Sequence, residues 1–64
     1  MKLKELKKGA WFTLKPIDHP TDKQVFIKDD YCREERKYIC GRFDDISYSR
    51  LLSGDKEVFT DFIF

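Results

Sequence analysis

Two cysteines and a single histidine are the residue types in this 64-residue chain best suited to covalent, redox or metal chemistry. Cys32 and Cys40 flank a charged stretch, Arg33-Glu34-Glu35-Arg36-Lys37, and so fall on opposite arms of one β-hairpin. Directly opposed antiparallel residues have Cα atoms about 4.5–5.5 Å apart, within reach of a disulfide. Whether the thiols face each other depends on the hairpin register, which the sequence leaves open; a shift of one residue sets Cys32 against Ile39 instead. A disulfide closing so short a loop adds less stability than one closing a long loop, and free cysteine packs as a small apolar group. The expectation is two reduced, structural thiols.

A zinc site needs about four ligands in paired spacing. Two cysteines without a C-x-x-C pair and one distant histidine fall short of that. His19 lies between Asp18 and Pro20 and would suit a base for a cysteine nucleophile, but no third orienting group can be named, so it reads as a surface histidine. Asp29-Asp30 and Asp44-Asp45 lack the alternating ligands and glycine of a calcium loop and read as turn formers. The three glycines are single and far apart, so no phosphate-cradling loop is encoded. No catalytic residue, cofactor or metal is expected.

The remaining chemistry is non-covalent. Six Phe, three Tyr and one Trp bring side chains of roughly 150–250 Å² each, more than a single small closed barrel hides. The C-terminal stretch Glu57–Phe64, read as a strand, is apolar on both faces. Alternation places Val58, Thr60, Phe62 and Phe64 on one side and Glu57, Phe59, Asp61 and Ile63 on the other. The first set is a core face. The second puts Phe59 and Ile63 beside two carboxylates on what should be the wet side. With Trp11 and Phe26, which alternation assigns to the non-core faces of their own strands, they form the candidate interaction surface, because a contiguous exposed apolar patch marks a contact site. The expected partner is a second copy of the chain or another protein. The rival is a nucleic-acid-binding barrel in which Trp11 and Phe26 stack on bases while Lys28, Arg33 and Arg42 meet phosphates. A third outcome is a sheet curled far enough to bury both of its faces.

Charge disfavours the rival. Thirteen Lys and Arg stand against twelve Asp and Glu, without the basic excess typical of non-specific nucleic-acid or membrane-surface binders. Lys2, Lys4, Lys7 and Lys8 cluster locally but read as a solvated opening segment. No apolar run of the kind found in secretory signals follows them, and no stretch approaches the ~20 apolar residues that cross a bilayer. The expected location is cytoplasmic, where both thiols stay reduced.

The elements that must position these residues are short and rich in β-formers, each bounded by turn residues. Leu3 and Leu6 belong either to one helical turn or to an extended lead-in, with both leucines plugging the core. Residues 10–15 read as a strand with Phe12 and Leu14 inward and Trp11 outward. Pro16 to Lys23 is a loop, since proline cannot donate to a ladder. Residues 24–43 read as one long hairpin, with Val25 and Ile27 inward, Phe26 outward and a bulge at Asp29-Asp30. Residues 44–52 read as a strand in preference to a short capped helix, and Ser53 to Lys56 as a turn. The sum is one all-β domain over 1–64 of about five strands, either a small SH3-like barrel or a strongly curled antiparallel sheet.

The opening Leu3, Leu6, Gly9, Phe12 pattern, the hairpin with its charged tip and the closing Glu57-Val58-Phe59 are similar to those of small bacterial SH3-like β-barrel proteins, many of which accompany phage or other mobile elements. The resemblance spans nearly the whole chain. It departs at Ala10, where many of that group carry aspartate after the glycine. It implies the barrel fold and carries no binding or catalytic residues onto this sequence.

Overall fold

Four antiparallel strands follow one another across a single sheet: β1 (Trp11–Phe12), β2 (Phe26–Cys32), β3 (Lys37–Arg42) and β4 (Asp45–Leu52). The computed structural model describes residues 1–63; Phe64, expected on the core face, and the side chain of Ile46, expected to follow the alternation of 44–52, lie outside the described residues. The two remaining elements are single 3-10 turns at Leu3–Glu5 and Asp22–Gln24. The domain is therefore all-β, and its sheet is open among the described residues.

The central hairpin forms as its sequence pattern requires. Lys28 opposes Cys40, but the next pair is Tyr31 with Tyr38, so Asp29 and Asp30 share the single opposing residue Ile39. This is the two-against-one arrangement of a β-bulge, at the expected place. Residues 33–36 make the turn, closed by Cys32 opposite Lys37. Arg36 takes φ +56°, the sole positive φ of a non-glycine residue in the described chain. Glycine or asparagine adopts that conformation most readily, and holding another residue there costs on the order of 1 kcal/mol. Residues 45–52 form a strand and not a helix. Between Gly41 opposite Ser49 and Arg42 opposite Asp45 the β3–β4 register shifts, so residues 46–48 bulge from the sheet's outer edge strand.

Two expectations are corrected. The segment 57–63 is not a fifth strand: it makes isolated bridges only, Glu57 with Lys2 and Phe59 with Thr13. No partner is long enough to extend it. The Val58 amide donates to the carbonyl of Met1, Phe59 exchanges both backbone bonds with Thr13, and the Ile63 amide turns to Asp18. Strand β1 is likewise shorter than its pattern, because the chain bends at Leu14 and Lys15, where the Thr13 hydroxyl donates to the Lys15 carbonyl at 2.7 Å. The second correction concerns β2. Phe26, only 7% exposed, faces the core, and Ile27 is half-buried on the opposite side. Pairing of Phe12 with Phe26 fixes this parity, and a one-residue change of parity exchanges the two faces of a strand. Val25, just before the strand, is buried as well.

Leu3, Phe12, Phe26, Cys40, Leu52 and Val58 form the core, with Leu6, Leu14, Tyr38 and Tyr48 packed around them. The Phe12 and Phe26 rings stack with centroids 5.9 Å apart. The first and last segments are knitted together across this core. Leu3 and Lys4 amides donate to Lys56 and Gly54 carbonyls, and the Met1 ammonium meets Glu57 at 2.7 Å.

Candidate interaction surface

The register defines the outer face of the sheet residue by residue. Trp11 opposes Ile27, Ile27 opposes Gly41 and Gly41 opposes Ser49, so these four lie in one row across all strands. The neighbouring row pairs Ile39 with Leu51. Directly opposed residues project from the same side, so Trp11, Ile27, Ile39 and Leu51 share a surface. These six residues are uncharged, and on β2 the Ile39–Leu51 row ends at the bulged carboxylates Asp29 and Asp30. Trp11 is 45% exposed and Leu51 40% exposed, while Ile27 and Ile39 are half-buried. Phe43 extends the strip by packing edge-on against Trp11 at 5.1 Å.

Of the four surface residues expected from sequence, Trp11 alone lies on these rows. Phe26 is enclosed on the opposite side of the sheet for the reason given above. Phe59 is half-buried beside Thr13. Ile63 is 73% exposed but lines a cleft of about 360 Å³ with Asp18, His19, Asp61 and Phe62. Ile27, Ile39, Phe43 and Leu51 were missed. The signal that finds three of them is the alternation of 37–43 together with the correct parity of β2; Leu51 requires knowing which member of Leu51-Leu52 faces inward.

No protein-family model, curated protein or solved structure matches the chain.

The inner face holds an unexpected charge. Lys28 is 5% exposed; its Nζ donates to the Leu6 carbonyl and stands 4.2 Å from the centre of the Tyr38 ring. Its alkyl stem lies in the core layer while the ammonium is satisfied by an oxygen and a π face. Burial pulls the ammonium below its ordinary pKa. Across the ladder, burial pushes the Cys40 thiol up to about 11. A thiol held protonated to that degree is a poor nucleophile. Cys40 faces Lys28 and Cys32 faces Lys37, so the cysteines are not cross-strand partners, and both are free.

The residues expected to serve a nucleic-acid platform are not gathered. Phe26 and Lys28 are enclosed, Arg33 is in the hairpin turn, and Arg42 is held by Asp44 at 2.6 Å with its guanidinium 4.7 Å from the Tyr48 ring. Among the described residues, no group of three or more His, Cys, Asp or Glu side chains is placed to hold a metal ion, and no helix is long and apolar enough to cross a membrane.

Proposed function

We propose that this protein is a non-enzymatic interaction module that pairs with a second copy of itself through the outer face of its sheet. The observation that carries this reading is the apolar strip of Trp11, Ile27, Ile39 and Leu51, bordered on β2 by Asp29 and Asp30, in a chain of which 39% is charged. Interface cores are depleted in charge and enriched in aromatic residues. A standard interface takes about 800 Å² from each partner, roughly a sixth of the 4705 Å² accessible here. Face-to-face packing suits this sheet better than edge pairing, because the bulge at 46–48 interrupts the outer side of β4 and bulged edges resist strand addition. A twofold contact would oppose the same strip in both copies.

The enclosed, protonated thiol of Cys40 supports a non-enzymatic role, and the internal engagement of Lys28 and Arg42 weighs against the nucleic-acid alternative. The fold reading that goes with this function is an SH3-like barrel in which residues 57–59, returning beside Thr13, take the place of a fifth strand. A cytoplasmic location goes with two cysteines at positions that do not oppose each other.

Sedimentation velocity across a concentration series tests the proposal. The unmodified protein should pass from monomer to dimer within the micromolar range, and Ile39→Lys with Leu51→Lys should hold it monomeric without unfolding it. A wild-type protein that stays monomeric at high micromolar concentration overturns the reading.

A further inference from the structure

At the hairpin end, on the inner side of the sheet and away from Trp11, a cleft of about 280 Å³ is lined by Lys4, Tyr31, Arg36, Tyr38, Gly54 and Asp55 among others. Tyr31 and Tyr38 are cross-strand partners with rings edge-on at 4.9 Å. One face of Tyr38 is occupied by the Lys28 ammonium, which leaves exposed Tyr31 as the ring available for stacking. Arg36 brings a guanidinium that makes no ion pair among the described residues. It does so from the left-handed backbone position that glycine would fill more easily. On the other rim, the Asp55 carboxylate sits 3.1 Å from Lys4 Nζ and 3.9 Å from Lys2 Nζ, so a phosphate would compete with this carboxylate for Lys4.

Gly54 sets the floor. A Cβ there would stand 3.1 Å from the Tyr38 ring and 3.2 Å from the Cβ of Lys4, so the absence of a side chain lets the lysine and the ring approach each other. A flat ring, an unpaired guanidinium and a lysine around a small cleft match a flat ring carrying a phosphate. Guanidinium binds phosphate in bidentate fashion, and aromatic side chains stack on nucleobases. The cleft lies just below the ~300–1,000 Å³ of typical drug-sized sites, enough for one such unit and no larger cofactor.

We infer that this cleft binds a nucleoside 5′-monophosphate, with the base on Tyr31 and the phosphate between Arg36 and Lys4. The inference is independent of self-association, which uses the other face of the sheet.

Titration of isotope-labelled protein with adenosine 5′-monophosphate, followed by amide chemical shifts, is the test, with inorganic phosphate and adenosine as the two half-ligands. Saturable shifts should centre on Tyr31, Arg36, Tyr38 and Gly54, with the nucleotide binding about tenfold tighter than either half. Arg36→Gly should weaken binding about tenfold without lowering the thermal midpoint, because the substitution removes the guanidinium and relieves the backbone together. Asp55→Asn should tighten binding by freeing Lys4 from its internal carboxylate. If Arg36→Gly does not fold, Lys4→Gln at the exposed rim reads the same loss. An absence of saturable shifts at about 5 mM nucleotide, shifts centred on another surface, or unchanged affinity in the Arg36 or Lys4 variant overturns the inference.

Discussion

Each face of this sheet holds residues whose type alone would place them on the other. The outer face carries Trp11 and Leu51 in partial contact with solvent. The inner face encloses a lysine whose ammonium reaches a backbone carbonyl and an aromatic ring. At Lys28 burial follows the satisfaction of the individual group and not residue class. A lysine can enter a small core when its stem packs and its charge is paired, whereas apolar side chains are common on protein surfaces.

Substitutions on the two faces break that comparison most directly. Phe26→Ala, on the inner side, should cost about 3–5 kcal/mol, enough to unfold much of a domain this small. Leu51→Ala, on the outer side, should change monomer stability by no more than about 0.5 kcal/mol while weakening self-association. Urea unfolding at low protein concentration separates the two. Equal losses would mean that the faces do not differ as described.

A smaller effect, about 2–3 kcal/mol, is expected from alkaline pH. Cys40 ionises near 9.0 when unfolded and about 11 when folded. Below pH 9 its contribution is fully present; as pH rises toward 11 the unfolded chain releases its proton first, and that stability is lost. Lys28 acts in the opposite direction, because its lowered pKa penalises the folded state until pH approaches the unfolded value of 10.5. In Cys40→Ala the loss between pH 9 and 11 should shrink, whatever the variant's stability at neutral pH. Parallel stability profiles for the two proteins would rule the thiol out as its source.

Smaller again is Lys28→Met. It preserves the stem, removes the ammonium and leaves the Leu6 carbonyl short of a donor, for an expected cost of about 1–2 kcal/mol. Hydrogen exchange should show the loss concentrated in residues 6–10, since Gly9 and Ala10 also hydrogen-bond to the Lys28 backbone. A neutral or stabilising result would show that the ammonium costs the fold more in desolvation than its contacts return.

The all-β class, the 24–43 hairpin, its bulge at Asp29-Asp30 and the strand over 44–52 were legible because each rests on local signals: alternation, β-branched residues and carboxylates where the ladder must skip. The faces of β2 were not. Val25-Phe26-Ile27 is apolar throughout, so alternation supplies a period without a phase, and the phase comes from Phe12 on another strand. The site suffered accordingly: Phe26 was placed outside and Ile27 inside. Lys28 in the core is invisible to pattern reading, which puts every lysine in water. The end of the chain misled for a different reason. Glu57 to Ile63 has strand-like composition, but strands need partners, and the bend after Thr13 removes the one it would have used.

The bonds that knit Met1–Lys4 to Gly54–Val58 also bear on the order in which the chain folds. Leu3 has no pocket until Val58 walls it, so its burial waits on contacts between segments far apart in the sequence. Until then Lys2, Lys4, Lys7 and Lys8 keep the unburied segment solvated. The closure that buries Leu3 therefore carries the entropy cost of a long loop, which places it among the slower steps of folding.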